Sequence, residues 1–170
     1  DAEIKNLKAE TEKAITSIET QELEKRFKKS AEALEKRKQQ LSNEQSAELQ
    51  KLAADFANAA KRAKTASELV DLQNKYEKDK FDVAQKYREA DFNESINALT
   101  SQLNFENLSA EQRIELEKAI ADAKSKYAQE SAQIAIKANE DVAKKHEDAI
   151  KHQLELEQQL KDKKEQLDSQ

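Results

Sequence analysis

The chain has no Gly, Pro, Cys, Met or Trp among its 170 residues. Gly and Pro supply most tight turns, strand ends and helix stops. Ordinary usage would place about twenty of them in a chain this long, so whatever turns exist must be built from Ser, Thr, Asn and Asp. The same absence removes the phosphate-cradling loop, the dinucleotide fingerprint and the nucleophile elbow, each of which needs Gly where the backbone bends or meets a phosphate. Without Cys there is no disulfide framework, no thiolate metal site and no thiol nucleophile. Long apolar runs are missing too. The longest are a few residues, such as Ile134-Ala135-Ile136, and none is long enough to span a membrane.

What remains is dominated by Ala, Leu, Glu, Lys and Gln, the strongest helix formers. The expected fold class is all-α, more than ~85% helical and without strands, as an elongated coiled coil, a long helical hairpin or a bundle. Charged residues make up 38% of the chain and the apolar class 36%. Apolar content this thin, spread this evenly, suits a narrow seam between two or three helices better than a round core. Intrinsic disorder is the rival that such a composition allows, and regular helical spacing of the apolar residues argues against it. A net charge of −5, from 30 basic and 35 acidic residues, gives no general electrostatic basis for binding nucleic acid. The chain opens at Asp1 and lacks Met throughout, so a segment of a longer protein is expected.

The apolar residues step alternately by three and four. Ile4, Leu7, Thr11, Ala14 and Ile18 begin a stripe that Leu23, Phe27, Ala31, Leu34 and Leu41 continue. Further runs start at Leu49, Leu69 and Phe92, and a last long one at Leu116. That run closes on Val142, His146, Ala149, Gln153, Leu156, Leu160, Lys163 and Leu167, a nearly strict heptad. Such a pattern is the mark of coiled-coil packing, and the polar members of the last run restrict register and strand number.

Three of the places where the apolar phase shifts carry the Ser/Thr-x-x-Gln/Glu signature of a helix start, in which the hydroxyl accepts from the third amide and the longer side chain reaches back. They are Ser42 with Gln45, Thr65 with Glu68, and Ser109 with Gln112. Helices are therefore expected near 1–40, 43–63, 66–103 and 110–168, the first with a possible bend at Thr20. Region 1–103 would hold kinks or turns near 42 and 64, 104–109 a helix–helix turn, and 110–170 a long C-terminal coiled-coil helix. Asn104-Phe105-Glu106-Asn107-Leu108-Ser109 is the best candidate for a reversal, and the breaks near 42 and 64 could be reversals or kinks. Residues 41–55 match 108–122 at nine of fifteen positions, which suggests either duplication of a helical unit or the shared texture of helix starts.

No catalytic, cofactor-binding or metal-binding residue stands out, and the chain is expected not to be an enzyme. His146 and His152 lie six apart on one helix, hence on opposite sides, and Ala143 and Ala149 sit where a Glu-x-x-His metal motif would need Glu. Packing and surface roles explain both histidines. Acid-first pairs at i,i+4, among them Glu22–Arg26, Glu32–Lys36 and Glu157–Lys161, suit solvated helix faces at about 0.2–0.5 kcal/mol each. Lys25, Arg26, Lys28, Lys29, Lys36, Arg37 and Lys38 form a local basic excess, open to an acidic partner or simply offsetting the acidic stretch before it. Seven Ala between 53 and 66 either bring helix axes close or leave a weakly packed stretch.

The Glu/Lys/Gln/Ala helices, the paired Ser-x-Glu-Gln starts and stretches such as Leu72-Gln-Asn-Lys-Tyr-Glu-Lys-Asp79 resemble the helical segments of phage tail tape measure proteins. That resemblance implies a structural, length-setting role. The function expected is a non-enzymatic spacer, scaffold or assembly segment that associates with itself or with another helical protein. No nucleic acid, transmembrane segment, cofactor or small-molecule substrate is expected. The alternative is a lipid-surface binder of the exchangeable apolipoprotein kind, which would need wider apolar faces flanked by Lys.

Overall fold

In the computed structural model, which describes residues 1–169, three helices account for 93% of the chain, and no strand occurs among the described residues. They are α1 (Ala2–Arg62), α2 (Ala66–Leu103) and α3 (Ala110–Asp168). The all-α expectation is met. The chain divides into two compact units, Asp1–Ala123 and Lys124 onward. The first holds α1, α2 and the opening turns of α3. The second is the rest of α3.

α1 and α2 pack against each other as an antiparallel hairpin. Its direction follows from the side chains that meet: Phe56 stacks on Tyr76, Glu48 bonds to Lys86 and Tyr87, Arg37 to Glu94, Ser30 to Gln102, and Phe27 packs on Phe105. As numbers fall on one helix they rise on the other. The chain therefore reverses at residues 63–65, in three residues with neither Gly nor Pro. Ala63 is extended (φ −64°, ψ 131°), and Thr65 is the extended N-cap of α2 (φ −129°, ψ 156°). Thr65 Oγ1 accepts from the Glu68 amide at 3.1 Å, and the Glu68 carboxylate accepts from the Lys64 amide at 2.9 Å. The first bond satisfies an amide that a helix start leaves orphaned, and the second ties the residue before the cap to the first turn of α2.

Residues 41–45 form no break. α1 continues through Ser42 as it does through Thr20, so the helix end and turn expected near 42 are absent. The reason is tertiary. Leu41 is only 5% exposed, and the half-buried face carries on through Gln45, Glu48 and Leu52. A break at 42 would uncover that face for the sake of one cap. Ser109, by contrast, does cap: its Oγ accepts from the Gln112 amide at 3.0 Å, and Gln112 Oε1 accepts from the Ser109 amide at 3.0 Å. Before it, Asn107 takes a left-handed φ of 64°, a conformation that Asn tolerates better than most residues with a Cβ.

Burial is thin. Among the described residues Leu23, Leu41 and Tyr87 are the buried apolar ones, and the rest of the seam is half-exposed. Leu41→Ala should lower unfolding free energy by about 2–4 kcal/mol and Ser109→Ala by about 1 kcal/mol. Ser42→Ala, which removes no cap, should leave it unchanged in chemical denaturation.

Candidate functional site

The hairpin seam and two uncovered helix faces are the only arrangements among the described residues with anything to recognise. At the seam, one oxygen of Glu48 accepts two hydrogen bonds, from Lys86 Nζ at 2.7 Å and from the Tyr87 hydroxyl at 2.8 Å. The Tyr87 side chain is 7% exposed, so its hydroxyl needs a partner, and Glu48 supplies one. The Lys86 bond, then the Tyr87 bond, holds the Glu48 carboxyl below its ordinary range. The same carboxylate raises Lys86 and Tyr87. Two to three turns along the seam, Arg37 Nε donates to Glu94 at 2.9 Å with Glu44 at 3.9 Å, which raises the guanidinium further. Lys38 faces Asp91 at 3.6 Å.

These contacts divide the basic cluster. Arg37 and Lys38 cross to α2, whereas Lys25, Arg26, Lys28, Lys29 and Lys36 stay exposed. The Ala-rich stretch divides likewise: Ala59, Ala60 and Ala63 are half-buried, and Ala53, Ala54, Ala57 and Ala66 are exposed. Next to them Phe56 and Tyr76 stack with centroids 4.7 Å apart, Lys80 lies 4.5 Å from the Tyr76 ring centroid, and an open hollow of about 200 Å³ lies beside the pair. Both histidines are exposed, and among the described residues no three His, Asp or Glu converge on a common metal position. Among the described residues no helix is long and apolar enough to cross a membrane.

Two stretches present apolar side chains to solvent. Residues 2–18 of α1 lie beyond the point where α2 ends opposite it, and all are exposed, Leu7 at 64%. Their stripe does not continue the seam: from Ile18 to Leu23 is five residues, about 140° of rotation at 3.6 residues per turn. Residues 141–169 of α3 are exposed throughout, with Leu160 at 61% and Leu167 at 70%. The sequence foresaw the second stripe and its polar members His146, Gln153 and Lys163. It did not foresee the Glu48 cluster. The signal was there: Gln45 and Glu48 follow Leu41 by four and three more residues, on the buried face, where a carboxylate needs partners.

Compared with known proteins, the chain matches no protein-family model, no curated protein and no solved structure.

Because the folded Glu48 carboxyl titrates below its unfolded value, its contribution is fully present above the unfolded carboxylate range. It fades as pH falls through the folded value. Stability should therefore decline on acidification below that range, and Glu48→Gln should flatten that part of the profile in denaturant titrations from neutral to acid pH.

Proposed function

We propose that the chain is a non-enzymatic structural segment, a helical spacer or scaffold that assembles through coiled-coil pairing with itself. One observation carries this reading: among the described residues, two long stretches of helix hold apolar stripes, residues 4–18 and 142–167, that are exposed throughout. Helix stability in water comes mostly from burying such a stripe rather than from propensity. A helix bearing an uncovered heptad is a coiled-coil strand awaiting its partner.

The width of the stripes favours a helical partner over lipid. Each heptad of the α3 stripe brings two residues to one line, with Lys145, Glu157 and Lys164 close beside it, and a membrane-lying helix needs a broader apolar face. A spacer role of the kind implied by the resemblance to tail tape measure segments fits the same features. In that role the hairpin supplies a stiff element, and the uncovered ends supply joints.

Light scattering and sedimentation over a range of concentrations test the reading. The chain should form species larger than one copy. Leu156→Ala with Leu160→Ala should weaken that association by about tenfold or more, at about 1 kcal/mol per partly buried site. Cooperative unfolding of the α1–α2 hairpin should be unchanged, since neither Leu belongs to it. A monomer at all concentrations, with helicity rising on anionic vesicles, would replace this reading with the lipid-surface one.

A further inference from the structure

Resting on the self-assembly reading, we propose that the two uncovered stripes are each other's partners. Residues 4–25 of α1 in one copy would pair antiparallel with residues 142–163 of α3 in a second copy. In this register Leu7 meets Leu160, Ile18 meets Ala149, and the polar Gln21 meets His146. The flanking positions fit as well. Lys8 lies beside Glu157, Asp1 beside Lys164 and Glu24 beside Lys145, three pairs of opposite charge. Ile15 and Ile150, exposed and off the stripes, meet on one flank. No like charges oppose each other at these positions, where charge sets the partner and direction of paired helices.

Other arrangements of the same segments lose this match. Moving the antiparallel pair by one heptad sets Lys8 beside Lys164 or Asp1 beside Glu157. A parallel pair with Ile4 opposite His146 sets Lys8 beside Lys145 and Glu10 beside Glu157, and with Ile4 opposite Gln153 it sets Glu3 beside Glu157. A parallel pair with Leu7 opposite Val142 avoids like charges. It sets Ile18 against Gln153 and leaves Ile15 without an apolar partner, whereas Lys25 meets an apolar residue in either arrangement, Leu160 here and Val142 in the antiparallel pair.

The partner has to be a second copy. Phe105, just ahead of α3, packs on Phe27 with centroids 5.2 Å apart. Leu7 is about 30 Å along α1 from Phe27, whereas Leu160 is about 75 Å along the unbroken α3 from Ala110, at 1.5 Å per residue. To bring Leu160 onto Leu7 of its own chain, α3 would have to fold back on itself. Each copy presents one stripe of each kind, so the contact is heterologous. It extends copy by copy unless two copies exchange both pairs and close.

The absence of Cys makes the test direct, because only introduced thiols can bond. Full-length Ile15→Cys and Ile150→Cys chains are mixed, allowed to exchange and oxidised. The mixed disulfide should exceed either homodisulfide several-fold. Lys8→Glu in the first chain should reduce it several-fold, and Glu157→Lys in the second should restore it. Homodisulfides in equal or greater yield, or no effect of Lys8→Glu, would overturn the pairing. Light scattering of the unmodified chain separates the two failures. Assembly with the wrong cross-links rejects this register and leaves self-assembly standing, whereas a strict monomer rejects both.

Discussion

A 61-residue helix paired with one of 38 residues cannot be covered along its whole length, and much of the molecule follows from that mismatch. The reversal at 63–65 fixes where the pairing begins, and the antiparallel direction fixes where it ends: α2 stops at Leu103, and its last contacts are Ser30 with Gln102 and Phe27 with Phe105. Everything in α1 before Leu23 lies past that point. The five-residue step from Ile18 to Leu23 turns the early stripe away from the seam. The first turns of α1 therefore face outward by sequence as well as by length. A seam running on in phase would have signalled a longer α2. The phase change signals a separate surface.

Within the hairpin, register is a harder problem than affinity. A seam of Leu, Ala and a few aromatics, repeated every three or four residues, would pair almost as well after a slide of seven. Polar contacts remove that freedom. Glu48 with Lys86 and Tyr87, and Arg37 with Glu94, can form in one alignment only. A slip of one heptad would leave the Tyr87 hydroxyl, on a side chain 7% exposed, without its carboxylate. The cost of an unpaired buried group exceeds the net gain from a paired one, so the cluster acts mainly by penalising misalignment. Its place near the middle of the hairpin suits that task, because either direction of slip breaks it. The aromatic contacts, Phe56 on Tyr76 near the reversal and Phe27 on Phe105 at the far end, close the two ends of the same alignment.

Sequence made helix content and stripe positions legible, because composition without Gly or Pro leaves few other structures and the 3–4 spacing is regular. It was a poorer guide to breaks. Leu-Ser-x-Glu-Gln occurs at 41–45 and at 108–112, and the two copies behave differently. At Ser109 the cap forms behind Asn104 and a left-handed Asn107. At Ser42 the helix passes straight through, since Lys-Gln-Gln-Leu before it favours helix and Leu41 is held in the seam. A capping box permits a start without compelling one, and the choice rests on the preceding residues and on packing that local sequence does not contain. The reversal at 63–65 was harder to foresee. Ala-Lys-Thr has Thr65 as its single turn residue, and only the Thr65–Glu68 pair marked it. The Glu48 cluster depends on which residues of α2 lie opposite, so it could be located only once the reversal was known.

The polar residues in the α3 stripe fit the same logic as the Glu48 cluster, one level up. Were Val142 to Leu167 apolar at every stripe position, the segment would associate with any heptad of similar pitch, in either direction. His146, Gln153 and Lys163 weaken every such pairing and weaken most those that set them against large apolar side chains. A partner stripe is favoured when it offers Gln21, Ala14 and the chain's first turn at those three places, with the Lys163 stem lying along Ile4 and its ammonium reaching water. The α1 stripe offers that order when read antiparallel. Weak apolar content thus becomes a selective feature: with few large side chains to drive contact, the flanking charges at Lys8, Glu24, Lys145 and Glu157 decide direction. Association of this kind should be reversible and sensitive to salt, because exposed charge pairs are screened over about 10 Å at 0.1 M. In the assembly proposed above, joints that form in one polarity and still exchange need both properties.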